Sequence, residues 1–407
     1  MKCRFCQTEL QHLFIDLINS PATNSFLTIE NLNESETFYP LKVFTCHICF
    51  LVQLDEYKKS GDIFNNEYVY FSSFSKSWLQ HAKNYTEMAV KRFDLNEQSQ
   101  VIEIASNDGY LLQYFKEKNI PVLGIEPAEN TAAAARKKGI DSINRFFGTE
   151  LAGEMINKNM RADLLIGNNV LAHVPDVVDF VAALKMILKD DGAITMEFPH
   201  LMQLVDNTQF DTIYHEHYSY FSFHTVKKIF ESQNLEIFDV DEIPTHGGSL
   251  RIYAKHKSNN REINKKVGAL SEKEKQKGML DISFYNHFTQ KAFEVKLNFL
   301  NFLIEQKKLN KKVVAYGAAA KGNTMLNYCG VKNDLIQYVV DANPNKQNKF
   351  LPASHIAVVN EQILKKDNPD YIIILPWNLK EEISEQLSYA RNWNAKFVTA
   401  IPELKIF

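Results

Sequence analysis

Short apolar runs alternate with amphipathic stretches along this chain, and the alternation falls into two blocks. In the first, Gln100–Ile104, Pro121–Ile125, Asp163–Gly167 and Gly192–Phe198 read as strands. The helical pattern after the first of them is carried by Leu111, Leu112 and Phe115. Thr225–Asn234 reads as a helix capped near His224 or Thr225. Ser258–Lys277 is highly charged and precedes a long amphipathic helix, whose stripe of Phe284, Phe288, Val295, Phe299 and Phe302 has the spacing of a face packed on a domain. A second block opens with KKVVAYGAAAKGNTMLNYCG and continues through strands at Ile336–Asp341 and Tyr371–Leu375. Strands alternating with helices predict parallel, doubly wound sheets, so the fold class expected is α/β with two such lobes in tandem.

Two strand-to-helix turns suit ligands. Ala105-Ser106-Asn107-Asp108-Gly109 lets a ligand approach backbone at a helix amino end, and Glu126 at the tip of the next strand is suited to ribose hydroxyls. The third strand leads into NNVLAHVPD, with Asn168, Asn169 and His173. In the later block, Gly317, Lys321 and Gly322 offer backbone N–H groups and one ammonium, which suit a diphosphate as well as they suit tight packing. This is not a P-loop, because the lysine precedes the second glycine. Cys329 reads as a buried small hydrophobe.

Chemistry concentrates in two further places. Cys3, Cys6, Cys46 and Cys49 form two C-x-x-C pairs separated by 39 residues, and two such turns supply the tetrahedral sulfur shell of structural zinc. Segments such as Thr37–Phe44 are candidate strands to bring the pairs together. Disulfides are disfavoured in a cytosolic chain, and a redox motif needs only one pair. His47 has the place of a surface or outer-shell residue. Tyr214, His215, Glu216 and His217 then crowd into four positions of YHEHYSYFS. A regular strand would put Tyr214 and Glu216 on one face and the histidines on the other, so convergence of Tyr214, Glu216 and His217 requires an irregular backbone. A metal site and a hydrogen-bonded strand edge are the rival readings. Downstream, His246-Gly247-Gly248-Ser249 is either a turn presenting His246 to a substrate or a plain hairpin.

The 407 residues call for two or three domains, and a net charge of -3 gives no footprint for nucleic acid or anionic membrane. MKCRFCQTEL has no apolar signal core and Tyr371–Leu375 is far too short to span a bilayer, so a soluble cytoplasmic protein is expected.

Glu103, Ala105, Ser106 and Gly109, followed by Glu126 and by Asn168 and Asn169, resemble the class I S-adenosylmethionine (SAM) methyltransferases. The complete order of motifs, from the four cysteines through EIASNDG, NNVLAHVPD, YHEHYSYFS and HGGSLR to YGAAAKGNT, resembles the nucleotide-sugar C-methyltransferases of deoxysugar pathways, typified by TDP-4-keto-sugar 3-C-methyltransferases. The resemblance implies a zinc module over 1–75, a SAM-dependent core over 76–255 and a Rossmann-like lobe over 256–407 that helps hold a nucleotide-sugar. It implies SAM over Gly109 with its ribose on Glu126, and catalytic positions at Tyr214, Glu216, His217 and His173. It adds a tyrosine from EYVYFSSFSKSW, Tyr70 or Tyr68. Substrate contacts are expected at His246, Lys321 and Asn323 in the two glycine-turn segments. His217 is the expected base, oriented by Glu216. Tyr214, together with His173, is expected to donate to the enolate oxygen or assist proton transfer. A monomer is expected, since two fused lobes can enclose a site. The rival functions are an O- or N-methyltransferase and a non-catalytic zinc- and nucleotide-binding protein.

Overall fold

The computed structural model describes residues 1–66 and 68–407. The chain divides into two compact units. The first contains Met1–His12, Thr45–Met202 and Glu216–Phe284, and the second Leu13–Phe44, Gln203–His215 and Tyr285–Phe407.

A seven-stranded sheet organises the first unit. From one edge its strands are Ser142–Ile143, Val122–Ile125, Val101–Ile104, Ala162–Asn168, Leu188–Pro199, Ser249–His256 and Leu235–Ile243. The first five run parallel, and Ser249–His256 inserts antiparallel between Leu188–Pro199 and its own hairpin partner Leu235–Ile243. This is the class I methyltransferase arrangement. The strand order reverses at Val101–Ile104, which places the crevice between the carboxyl ends of Val101–Ile104 and Ala162–Asn168.

One face of the sheet is covered by Leu112–Lys116 and by the helix Lys76–Phe93. Tyr85, Leu111, Leu112, Phe115 and Ile140 share a buried cluster there with Val101 and Leu164. Full burial of each large side chain contributes about 1.5–3 kcal/mol. Ser75 caps the helix Lys76–Phe93, its Oγ accepting from Trp78 N at 3.2 Å.

The helix predicted at Thr225–Asn234 spans Phe223–Ser232, and its cap is Ser222, whose Oγ accepts from Thr225 N at 3.1 Å. The earlier start follows from Glu274, fully buried, whose carboxylate accepts from Phe223 N at 2.6 Å, His224 N at 2.8 Å and His200 Nε2 at 2.7 Å. Glu274 comes from the helix Lys265–Gln276, so the charged stretch Ser258–Lys277 is largely ordered structure.

In the second unit the sheet order is Ala357–Val359, Tyr338–Val340, Val313–Tyr316, Tyr371–Ile374, Lys396–Thr399, Lys405–Ile406. All pairings are parallel except the last. This too is a doubly wound order, with its reversal at Val313–Tyr316. The predicted long helix is Phe288–Lys308, and its buried face includes Phe288, Val295, Phe299 and Phe302. Phe284 precedes it in a 3-10 turn, Ile282–Tyr285. Among the described residues no helix is long and apolar enough to cross a membrane.

Candidate active site

The four cysteines converge in the first unit. Their sulfurs lie within 4.8 Å of one another, with Cys3–Cys49 and Cys6–Cys46 at 3.5 Å and Cys6–Cys49 at 3.6 Å. Four sulfurs about 2.3 Å from one zinc ion stand about 3.8 Å apart, so this donor set fits zinc in geometry and in softness. Each pair is shaped as a knuckle: Gln7 N donates to Cys3 O and Phe50 N to Cys46 O, with Gln7 and Phe50 at φ 61° and 59°. Gln53 Nε2 donates to Cys3 Sγ at 3.2 Å from a fully buried position, an outer-shell contact to a ligand atom. His47 stands outside the sulfur cluster, its ring 5.5 Å from that of His12.

The turn after Val101–Ile104 is tightly wound. Ala105, Asn107 and Gly109 all have positive φ, and a Cβ at Gly109 (φ 73°) would stand 2.5 Å from Ile140 Cδ1. Glu126, 4% exposed, accepts from Asn107 N and Ala128 N, both at 2.9 Å. Burial pushes its carboxyl pKa up, and the two amides pull it back.

Around this turn, six buried oxygens have no hydrogen-bond partner among the described residues: both of Glu103, Ser106 Oγ, Asp108 Oδ1, Asn168 Oδ1 and Asn169 Oδ1. Burial drives the Glu103 pKa upward, opposed by the nearby Tyr110 hydroxyl. Buried acceptors on this scale at a switch-point crevice fit a donor-rich ligand such as SAM, whose amino group and ribose hydroxyls would satisfy them. Replacing Glu126 by alanine is expected to weaken SAM binding by about 10²-fold, as loss of charge-assisted hydrogen bonds implies, with calorimetry as the check.

Segment 68–73 is tied to the turn. Asn107 Nδ2 donates to Tyr70 O at 3.1 Å, and Asn107 Oδ1 accepts from Ser72 N at 2.9 Å. Asn130 Nδ2 donates to Tyr68 O at 2.7 Å, and Lys138 Nζ to Ser73 Oγ at 2.8 Å. The two candidate tyrosines differ. Tyr70 is 45% exposed, whereas the Tyr68 ring lies 5.2 Å from Phe64, which lies 5.5 Å from His173.

His173 and His217 face each other with ring centroids 4.6 Å apart at 62°. His173 Nδ1 stands 2.7 Å from the Glu216 carbonyl, so Nδ1 carries the proton and Nε2 the lone pair. Burial depresses its pKa to about 4. His173 is therefore neutral near pH 7, with an acceptor at Nε2 rather than a donor. The main chain pins this pair: Tyr218 N donates to Ala172 O at 2.8 Å, joining the residues adjacent to the two histidines. His217 and Tyr214 are half-buried and Glu216 is buried. Tyr214 and His215 belong to the second unit, where His215 Nε2 lies 3.2 Å from Pro40 O and its ring 5.6 Å from Tyr39, a structural setting.

His246 lies in the first unit, in the tip of the hairpin, at φ 55°. Asn169 Nδ2 donates to its Nε2 at 3.0 Å, and its ring stands 5.2 Å from Trp78, which stacks on Tyr110. It thus neighbours the turn of Gly109. Sequence reasoning missed Trp78 and Tyr110. It also missed a triad around the buried Glu197, which accepts from Arg251 Nε at 2.6 Å and meets the half-buried His81 at Nε2, 2.8 Å away. An acidic residue inside the apolar run Ala193–Phe198 was the available signal.

In the second unit, the turn after Val313–Tyr316 packs tightly: a Cβ at Gly317 (φ 90°) would meet Pro376 Cδ at 2.5 Å. Asp341, ending Tyr338–Val340, accepts from Ala318 N at 2.7 Å and Asn343 N at 2.8 Å, the arrangement that Glu126 makes in the first unit. Lys321 Nζ donates to Asn378 Oδ1 at 2.7 Å and lies 4.8 Å from the Trp377 ring centroid. Trp377 Nε1 donates to Asp211 Oδ2 at 2.7 Å. Burial raises Asp211 to about 6, moderated by the Lys321 charge. Asn323 is buried, with Nδ2 donating to Thr23 O at 2.6 Å and Oδ1 lacking a partner among the described residues.

Three family models match along the chain: "C-methyltransferase C-terminal domain" over residues 244–402, "Methyltransferase domain" over 78–240 and "Putative zinc binding domain" over 3–64. The chain is 30% identical over 405 residues to C-methyltransferase NovU of Streptomyces niveus, an alignment covering 100% of this chain and 96% of that protein. Among solved structures, magnesium protoporphyrin IX methyltransferase of Synechocystis with bound SAM is similar at 15% identity, over 44% of this chain and 79% of that one, with a TM-score of 0.35. A SAM-dependent methyltransferase of Clostridium acetobutylicum is similar at 11% identity, over 44% and 92%, with a TM-score of 0.35.

Proposed function

The chain belongs to the C-methyltransferase family, and we propose that its acceptor is the carbon beside the ketone of a nucleotide-linked 4-keto deoxysugar, at C3. It is a SAM-dependent methyltransferase with a four-cysteine zinc-binding domain.

The observation carrying the proposal is the His173–His217 pair, pinned by Tyr218 N to Ala172 O. A C–H next to a ketone becomes nucleophilic only on deprotonation, which requires a base and a donor for the enolate oxygen. His217 is the base, being half-buried and held against the neutral ring of His173. Glu216 orients the segment, since its carbonyl fixes the His173 tautomer. In that tautomer His173 offers no free donor, and Tyr214 is the residue proposed to donate to the enolate oxygen. Tyr68 is the better candidate for the amino-terminal tyrosine, because ring contacts through Phe64 link it to His173. Bound SAM would be held by Glu126 and the 105–109 turn and supplies an electrophilic methyl group. In the second unit, Lys321 and Asn323 are the groups for the nucleotide portion of the substrate, with Asn378 and the Trp377 ring fixing the lysine.

Mass spectrometry after mixing the protein with SAM and freshly made TDP-4-keto-6-deoxy sugars, the 2,6-dideoxy form included, tests this. A gain of one methyl, with the C3 proton washing into heavy water when SAM is omitted, is the expected result. SAM binding without methyl gain or washout would reject the keto-sugar acceptor and redirect the search to O- and N-acceptors.

A further inference from the structure

We infer that Arg4, carried between Cys3 and Cys6, is a positioning residue that ties the four-cysteine cluster to the two loops bearing His173 and His217. This rests on the catalytic reading given for those histidines. Arg4 makes contacts in three directions. Its backbone N donates to Gln53 Oε1 at 2.8 Å, and the same Gln53 side chain donates from Nε2 to Cys3 Sγ at 3.2 Å. Its Nη1 donates to Pro175 O at 2.7 Å, two residues beyond His173, and its Nη2 to Leu54 O at 2.5 Å. Its guanidinium carbon stands 5.5 Å from the ring centroid of Tyr218, the residue after His217.

The groups that Arg4 grips also grip one another. Leu54 N donates to Tyr218 O at 3.0 Å, Tyr218 N to Ala172 O at 2.8 Å, and the Tyr218 hydroxyl to Lys58 O at 2.8 Å. A second tie runs from the other knuckle, where Thr225 Oγ1 donates to Cys49 O at 3.0 Å. Only a planar fork with a hydrophobic face serves two carbonyls and a ring at once, which is why arginine rather than lysine suits this position. The histidine pair thus takes its spacing from a scaffold whose far end is the sulfur cluster, while the 105–109 turn and Glu126 stand outside these contacts.

The test compares Arg4→Ala, Arg4→Lys and His217→Ala in the full-length, zinc-loaded protein. Arg4→Ala is expected to keep its zinc and its SAM affinity while kcat falls by roughly 10²-fold, the size of effect an ångström-scale misplacement produces. Added guanidinium ion restores part of that loss, and Arg4→Lys falls between the two. Wild-type kcat in an Arg4→Ala protein that keeps its zinc overturns the proposal. Should Arg4→Ala not hold zinc, Arg4→Lys decides: lowered kcat with zinc and SAM binding intact supports it, and unchanged kcat overturns it. Nitrogen-15 histidine spectra give a readout independent of turnover. The His173 Nδ1–H signal shifts or broadens in the Arg4 variants, and an unchanged signal counts against the tie even if full activity of His217→Ala shows that the histidine assignment itself is wrong.

Discussion

Methyl transfer in His217→Ala is expected to fall by about 10³-fold, within the range that a positioned general base contributes. SAM affinity should be preserved, because the orphaned oxygens of Glu103, Ser106, Asp108, Asn168 and Asn169 belong to the strands Val101–Ile104 and Ala162–Asn168 and the turns after them, and none depends on His217. Proton washout at the acceptor carbon should disappear together with methyl transfer, since both need the same deprotonation. Loss of transfer with washout retained would move the base elsewhere and leave His217 a role after enolate formation. His173→Gln offers the contrast. An amide N–H can reproduce the bond to the Glu216 carbonyl, so this variant should lose less than His217→Ala.

Removal of zinc should have the second large effect, on stability first. Structural zinc in small domains contributes on the order of 10 kcal/mol of folding free energy. Here the cluster joins residues 3–6 to 46–49, and Cys49 O is bonded to Thr225 at the start of the Phe223–Ser232 helix. Cys46→Ser, or stripping with a chelator under reducing conditions, is expected to lower the thermal midpoint by roughly 20 °C or more, at about 2–4 °C per kcal/mol for domains of this size. Readdition of zinc restores the midpoint in the stripped protein and not in the variant. A midpoint unchanged after measured zinc loss would show that the four sulfurs hold their places unaided.

The fold was readable where local signals were strong. The strands predicted at Gln100–Ile104, Pro121–Ile125 and Tyr371–Leu375 agree with Val101–Ile104, Val122–Ile125 and Tyr371–Ile374 to within a residue at each end, because fully buried parallel strands are short apolar runs between turn signals. The C-x-x-C pairs were equally plain, since each knuckle is local and its spacing is fixed by the turn. Glu274 and Arg4 were not legible. Glu274 lies in a run of charged residues and Arg4 inside a cysteine pair, and what singles them out is a set of partners far away in sequence. Glu274 takes partners at 200, 223 and 224, and Arg4 takes them at 54, 175 and 218. The tautomer of His173 was beyond sequence for the same reason, as it depends on one carbonyl of a segment more than forty residues later.

Neither compact unit is one continuous stretch of chain, and this has a consequence for biosynthesis. The first unit needs residues from Met1 to Phe284, and the second spans Leu13 to Phe407, each interrupted by parts of the other. At about 5–20 residues per second, the ribosome delivers the last of the first unit roughly 15–60 s after the first cysteine emerges. During that interval the knuckle at 3–6 has only the knuckle at 46–49 to complete it, and the 13–44 segment lacks the carboxy-terminal residues that Thr23 and Phe14 meet in the finished protein. Early zinc capture by the nascent chain would therefore shield reactive thiols before either sheet can close, and fragments cut at the boundaries of the family models should express as unfolded or aggregated chains rather than as separable modules.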